Sequence, residues 1–167
     1  MDGIKNKTIQ KKDIKSSADF SKDMSKKSSS RAARHTLTIR SKVVLNRILE
    51  ITHNSLKVEI NDEGAITGRY TGTQLSTIDN TTNQDGSSIW NGKFMQMTNK
   101  GDMVVATGNG TGEPATSKGI VKIRGEGEMW TQSSRLASLN GAKWTCEGES
   151  NIRNGRTLIN VEIGEKQ

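Results

Sequence analysis

Apolar and polar residues alternate along most of the chain, most clearly in Gly119 to Trp130. There Val121, Ile123, Gly125, Gly127 and Met129 are separated by Lys122, Arg124, Glu126 and Glu128. A period of two is that of a strand with one face in a core and the other in water. The same pattern recurs on both sides. Ile66, Gly68, Tyr70 and Gly72 share a face, as do Trp90, Gly92 and Phe94, and Val104, Ala106, Gly108 and Gly110. Near the end Ala142, Trp144, Cys146 and Gly148 alternate with Lys143, Thr145, Glu147 and Glu149, and Asn154-Gly155 turns the chain back into Thr157, Ile159, Val161 and Ile163.

Earlier, Leu56, Val58 and Ile60 alternate with Lys57 and Glu59, a hairpin is expected at Thr52 to Ser55, and Asn61-Asp62-Glu63-Gly64 reads as a turn. Residues 41–53 fit a short helix behind Ser41 or a strand, and their β-branched content favours the strand. Leu75 to Gly86 reads as a polar loop, Thr98 to Asp102 as a turn, and Asn109 to Lys118 as a turn holding the single proline, Pro114. Thr131 to Gly141 reads as a short capped helix or turn that closes one end. Its N-cap is Ser133 or Ser134, Leu136 and Leu139 face inward, and Gly141 takes the left-handed position. Connections this short leave no room for crossover helices, so the strands form an antiparallel meander.

Glycine on an inward strand face implies tight bending, or rings from a neighbouring strand lying over the gap. The predicted fold is therefore all-β, a small antiparallel meander β-barrel or strongly coiled sheet. Tyr70, Trp90, Phe94 and Trp144 are expected either to lie over Gly68, Gly92 and Gly148 or to line a small apolar cavity near Arg135. A filled interior is the preferred outcome.

Charge changes the picture only at the N-terminus. Of the 25 Lys and Arg, 13 precede Asn54 against 5 acids, a net of +8; the remaining 12 face 13 acids, a net of −1. Residues 1–40 read as a disordered basic tail rich in Ser and Lys, and residues 41–167 as the barrel domain, because isolated Ile4, Ile9, Ile14, Phe20 and Met24 keep no helical face. Lys11, Lys12, Lys26, Lys27, Arg31 and Arg34 are the tail's candidates for non-specific contact with nucleic acid. One cysteine and the lack of a long apolar run point to a cytoplasmic protein with no transmembrane segment.

From about Lys42 onward, a set of features resembles a group of small, largely uncharacterised bacterial and archaeal proteins. They are Asp85-Gly86, the Gly-x-Gly repeats of Gly108 to Gly112, Arg124-Gly125, Thr131 with Ser133-Ser134, Leu136 with Leu139-Asn140, and Glu147. The group is similar in general shape to the allene oxide cyclase and dirigent type of antiparallel barrel. The resemblance implies a barrel and brings no activity with it.

Candidate chemistry is sparse. His35, His53 and Cys146 form no spaced metal set, and no metal or other cofactor is expected. Cys146 reads as a small buried hydrophobe. Glu126, Glu128, Glu147, Glu149 and Glu162 fall on outward faces, which argues against paired acid and base groups and leaves no catalytic residue to name. The candidate ligand site is the end closed by Thr131 to Gly141, where Ser133, Ser134, Arg135, Asn140 and Trp144 meet; capping alone also explains the serines and Asn140. Three readings stand: a non-enzymatic binding or self-assembling barrel, preferred; a nucleic-acid-associated protein using its basic arm; and a cyclase- or isomerase-like barrel enzyme. Homo-oligomers and a small-molecule ligand of unknown identity belong to the first.

Overall fold

The computed structural model describes residues 36–164. They form one closed barrel of eight antiparallel strands, each hydrogen-bonded to its neighbours in chain order and the last to the first. The strands are β1 (Thr36–Ile51), β2 (Ser55–Gly68), β3 (Gly72–Asn83), β4 (Ser88–Thr98), β5 (Met103–Gly112), β6 (Ile120–Thr131), β7 (Ala142–Asn151) and β8 (Arg156–Ile163), with one 3₁₀ turn, Ser134–Leu139, between β6 and β7. The meander and the hairpin at Thr52 to Ser55 are as expected, and of the two readings of residues 41–53 the strand holds, through Ile51. Closure leaves no sheet edge over the barrel's height, which is how an all-antiparallel fold of this size avoids edge pairing.

Three expectations change. Asn61 to Gly64 is not a turn but the middle of β2, with Asp62 buried inside the barrel. Leu75 to Gly86 is not a loop: β3 runs to Asn83, with Gln74 and Ser76 buried and Leu75 outside. Both segments are polar toward the interior, so hydrophobicity hides their period while the hydrogen-bond ladder keeps it. The barrel also begins earlier than residue 41. β1 starts at Thr36, with Leu37 and Ile39 in the core, inside the stretch expected to be tail. Lys11, Lys12, Lys26, Lys27, Arg31 and Arg34 lie outside the described residues.

The two ends of the barrel differ. At one, the 3₁₀ turn lays Leu139 over the interior, fully buried, and Leu136 packs on the same cluster with Leu37, Val104, Met129 and Ile163. Gly141 follows at φ 70°, so the chain re-enters β7 through a left-handed residue. At the other end, β1 pairs with β8 only as far as Lys42. Beyond it β1 is an open edge that stays paired with β2, itself paired with β3 as far as Ser55 opposite Asn83, and this extension exposes Val44, Leu45, Ile48, Leu49 and Ile51. The outer surface also carries an apolar row, Leu75, Met95, Val105 and Trp130, which are register partners across β3 to β6 and all exposed.

Candidate functional site

Register explains the interior. Trp90 on β4 stands opposite Gly110 on β5, which faces Gly125 on β6; one level along, Gly92, Gly108 and Gly127 lead to Trp144 on β7. A Cβ built on Gly110 or Gly125 would overlap the Trp90 ring, and one on Gly108 or Gly127 the Trp144 ring. The two Gly-x-Gly pairs of β5 and β6 are thus the floor on which the two indoles lie. Phe94 lies over Gly92 of its own strand and meets Trp144 edge to face, with ring centroids 6.0 Å apart. The expected use of glycine holds at Gly92 but not at Gly68, which sits at a strand end near the backbone of Thr36, nor at Gly148, which packs on Ile159.

The rings do not fill the barrel. A cavity of about 130 Å³ remains, bounded on one side by Trp90, Phe94 and Trp144 and elsewhere by Ile39, Ile78, Ile123, Met129, Ile159 and Val161, with Cys146 among them. Its polar lining comes chiefly from β1 to β4. Asp62 accepts hydrogen bonds from Ser76 Oγ at one carboxylate oxygen and from Ser41 Oγ, 3.2 Å, at the other. Tyr70 donates its hydroxyl to Gln96 Oε1, and Gln96 Nε2 donates to Gln74 Oε1 at 2.8 Å. Lining residues Val43, Asn80, Ser150 and Thr157 are only half-buried and lie toward the strand ends away from the 3₁₀ turn, so the cavity is reached from that side.

Electrostatically the cavity is dominated by one group. Burial pushes the Asp62 carboxyl up from its ordinary value, against the opposing pull of the Ser76 and Ser41 hydrogen bonds. Burial likewise raises the Tyr70 hydroxyl, and it raises the Cys146 thiol to about 11, so this thiol stays protonated and unreactive at neutral pH. The indole nitrogens of Trp90 and Trp144 are buried with no hydrogen-bond partner in the protein. Each orphaned donor costs about 1–3 kcal/mol. Among the described residues no group of three His, Cys, Asp or Glu could hold a metal ion, and no helix is long and apolar enough to cross a membrane.

Of the five residues expected to meet a ligand at the helical end, Trp144 alone lines the cavity. Arg135 is exposed and engaged by Asp102 Oδ2 at 2.5 Å and the Lys100 carbonyl at 3.0 Å. Ser133 donates to Asp102 Oδ1 at 2.7 Å, and Asn140 Oδ1 accepts the Thr131 amide at 2.7 Å. The Arg135 and Ser133 bonds hold the Asp102 carboxyl below its ordinary value. Ser134 begins the 3₁₀ turn and is exposed. These contacts fasten the β4–β5 turn to the segment that closes the barrel. The residue missed was Asp62, and its signal was present: Ile60, Asp62, Gly64 and Ile66 continue the inward period of two.

No family model matches the chain, and no curated protein does. Solved structures do. A protein of unknown function from Clostridium acetobutylicum has a TM-score of 0.66 at 12% identity, over 78% of this chain and 95% of its own. A conserved protein of unknown function from Rhodopseudomonas palustris has a TM-score of 0.64 at 13% identity, over 77% and 94%. An enzyme from Penicillium herquei has a TM-score of 0.54 at 18% identity, over 75% and 90%. At these identities the likeness is one of fold. It matches the resemblance to uncharacterised small barrels and indicates no specific function.

Proposed function

We propose that this protein is a binding module that takes a small organic molecule, about the size of a single ring, into the interior of its barrel. What carries the reading is the cavity itself: small barrels ordinarily fill their interior with their own side chains, and this one leaves about 130 Å³ beside two indole N–H groups without acceptors. An apolar cavity of about 150 Å³ is enough for benzene. The aromatic wall supplies contact area, and the polar lining supplies orientation. Asp62 is also the feature that favours an enzyme of the cyclase or isomerase kind. Its hydrogen-bond partners are two serine hydroxyls, and the thiol elsewhere in the cavity lining stays protonated, which is a poor set for passing a proton in both directions, so binding is the better reading.

Tryptophan fluorescence tests it. Replacing the exposed Trp130 by Phe leaves Trp90 and Trp144 as the only reporters. Titration of that variant with single-ring compounds, neutral and charged, is expected to give a saturable change for at least one of them. A flat response across the panel would mean that the interior takes no ligand.

A further inference from the structure

We infer that the cavity is built for an organic cation, an ammonium group carried on a single ring, with the charge beside Asp62 and the ring against Trp90 and Trp144. This rests on the reading of the cavity as a binding site and names the class of ligand. Asp62 is 7% exposed, and its partners are two neutral hydroxyls. None of the side chains lining the cavity is Lys, Arg or His. Charged residues next to Asp62 in the ladder, Lys42 and Glu63, are register partners of each other and alternate to the outside. Buried carboxylates are ordinarily paired, because taking one out of water unpaired costs several kcal/mol. Among the described residues no cation lines the cavity to pair with Asp62.

The opposite lining suits the same ligand. Three aromatic rings, Trp90, Trp144 and Phe94, stand in one small cavity, and ring faces attract cations most strongly where water is excluded. A cation also draws Asp62 into its ionised form, so the attraction strengthens as the ligand enters. An anion would meet a carboxyl and no cation, and a neutral molecule of equal size would gain the ring contacts alone.

The test compares benzylamine, benzyl alcohol and benzoate, which share a ring and differ in charge, by calorimetry on the full chain at pH 7. Benzylamine is expected to bind about tenfold or more tighter than benzyl alcohol, a margin set by one desolvated charge pair, with benzoate weakest. Asp62→Asn is expected to bring benzylamine to within about threefold of benzyl alcohol, the ratio of the two affinities within each chain being the readout. The comparison in the unsubstituted chain stands even where that variant fails to fold. Equal affinity for amine and alcohol, or preference for benzoate, would overturn the cation assignment and leave the cavity a binding site. No binding of any of the three, nor of toluene, would overturn both.

Discussion

A carboxyl folded into a barrel with only two hydroxyls beside it keeps its proton to higher pH than it does in water. Asp62 is in that position, with burial as the largest cause. The unfolded chain releases this proton near 3.8 and the folded chain above it, so the folded state binds more protons between the two values. Stability from this group is therefore full below the unfolded value and lost as pH rises through the folded one. Asp62→Asn removes the titration and keeps an acceptor for Ser41 or Ser76. The variant is expected to gain in melting temperature relative to the parent at pH 7, compared with the same pair at pH 3, where both side chains are neutral. Thermal melts at the two pH values check this, and an identical difference at both would show that Asp62 titrates as an ordinary surface acid. The residue was legible only in part. Asn-Asp-Glu-Gly has the composition of a turn, which masks the period of two running from Ile60 through Asp62 to Ile66, and the hydrogen-bond ladder through Asp62 and Ser76 is what holds the segment as strand.

At the scale of the strand, β6 shows how alternation and glycine act together. Its charged residues face water and Ile123 and Met129 face inward, which the sequence displays openly, but Gly125 and Gly127 are inward for a reason that becomes visible only with the neighbouring strands in place. They clear the space that Trp90 and Trp144 occupy. Gly127→Ala would press a methyl into both the Thr107 carbonyl and the Trp144 ring, and overpacking of this kind costs about 1–3 kcal/mol or more. Glu126→Ala, one residue away on the wet face, is expected to cost under about 0.5 kcal/mol. Urea melts of the two variants measure the contrast, and equal losses would mean that Trp144 does not rest on Gly127. β3 marks the opposite case. Gln74 and Ser76 point in and Leu75 points out, so a reading by hydrophobicity inverts the faces and reports a loop. The polar chain from Tyr70 through Gln96 satisfies Gln74, Asp62 accepts from Ser76, and together they make the inward polar face tolerable.

For the whole molecule the decisive event is closure, and closure depends on the first seven residues of the barrel. Thr36 to Lys42 pair on one side with β8, from Thr36 opposite Glu162 to Lys42 opposite Arg156, and Leu37 to Lys42 pair on the other side with β2. The same short stretch carries Leu37 and Ile39 into the core. Its alternation is present in the sequence, Leu37 and Ile39 between Thr36, Thr38 and Arg40, but it follows directly on the basic run and is too short to stand out from it. A chain beginning at Thr36 is expected to melt cooperatively within a few degrees of the full chain. One beginning at Lys42 loses two core side chains and most of the β1–β8 ladder, leaving β8 as an open edge beside an uncovered interior. Removal of even one such buried side chain costs about 2–5 kcal/mol, a large share of the roughly 5–15 kcal/mol by which domains are stable. Calorimetry of the two truncations separates the outcomes: the shorter chain should show no cooperative transition or should aggregate. An unchanged midpoint for the chain beginning at Lys42 would mean that the barrel holds together without the strand that closes it.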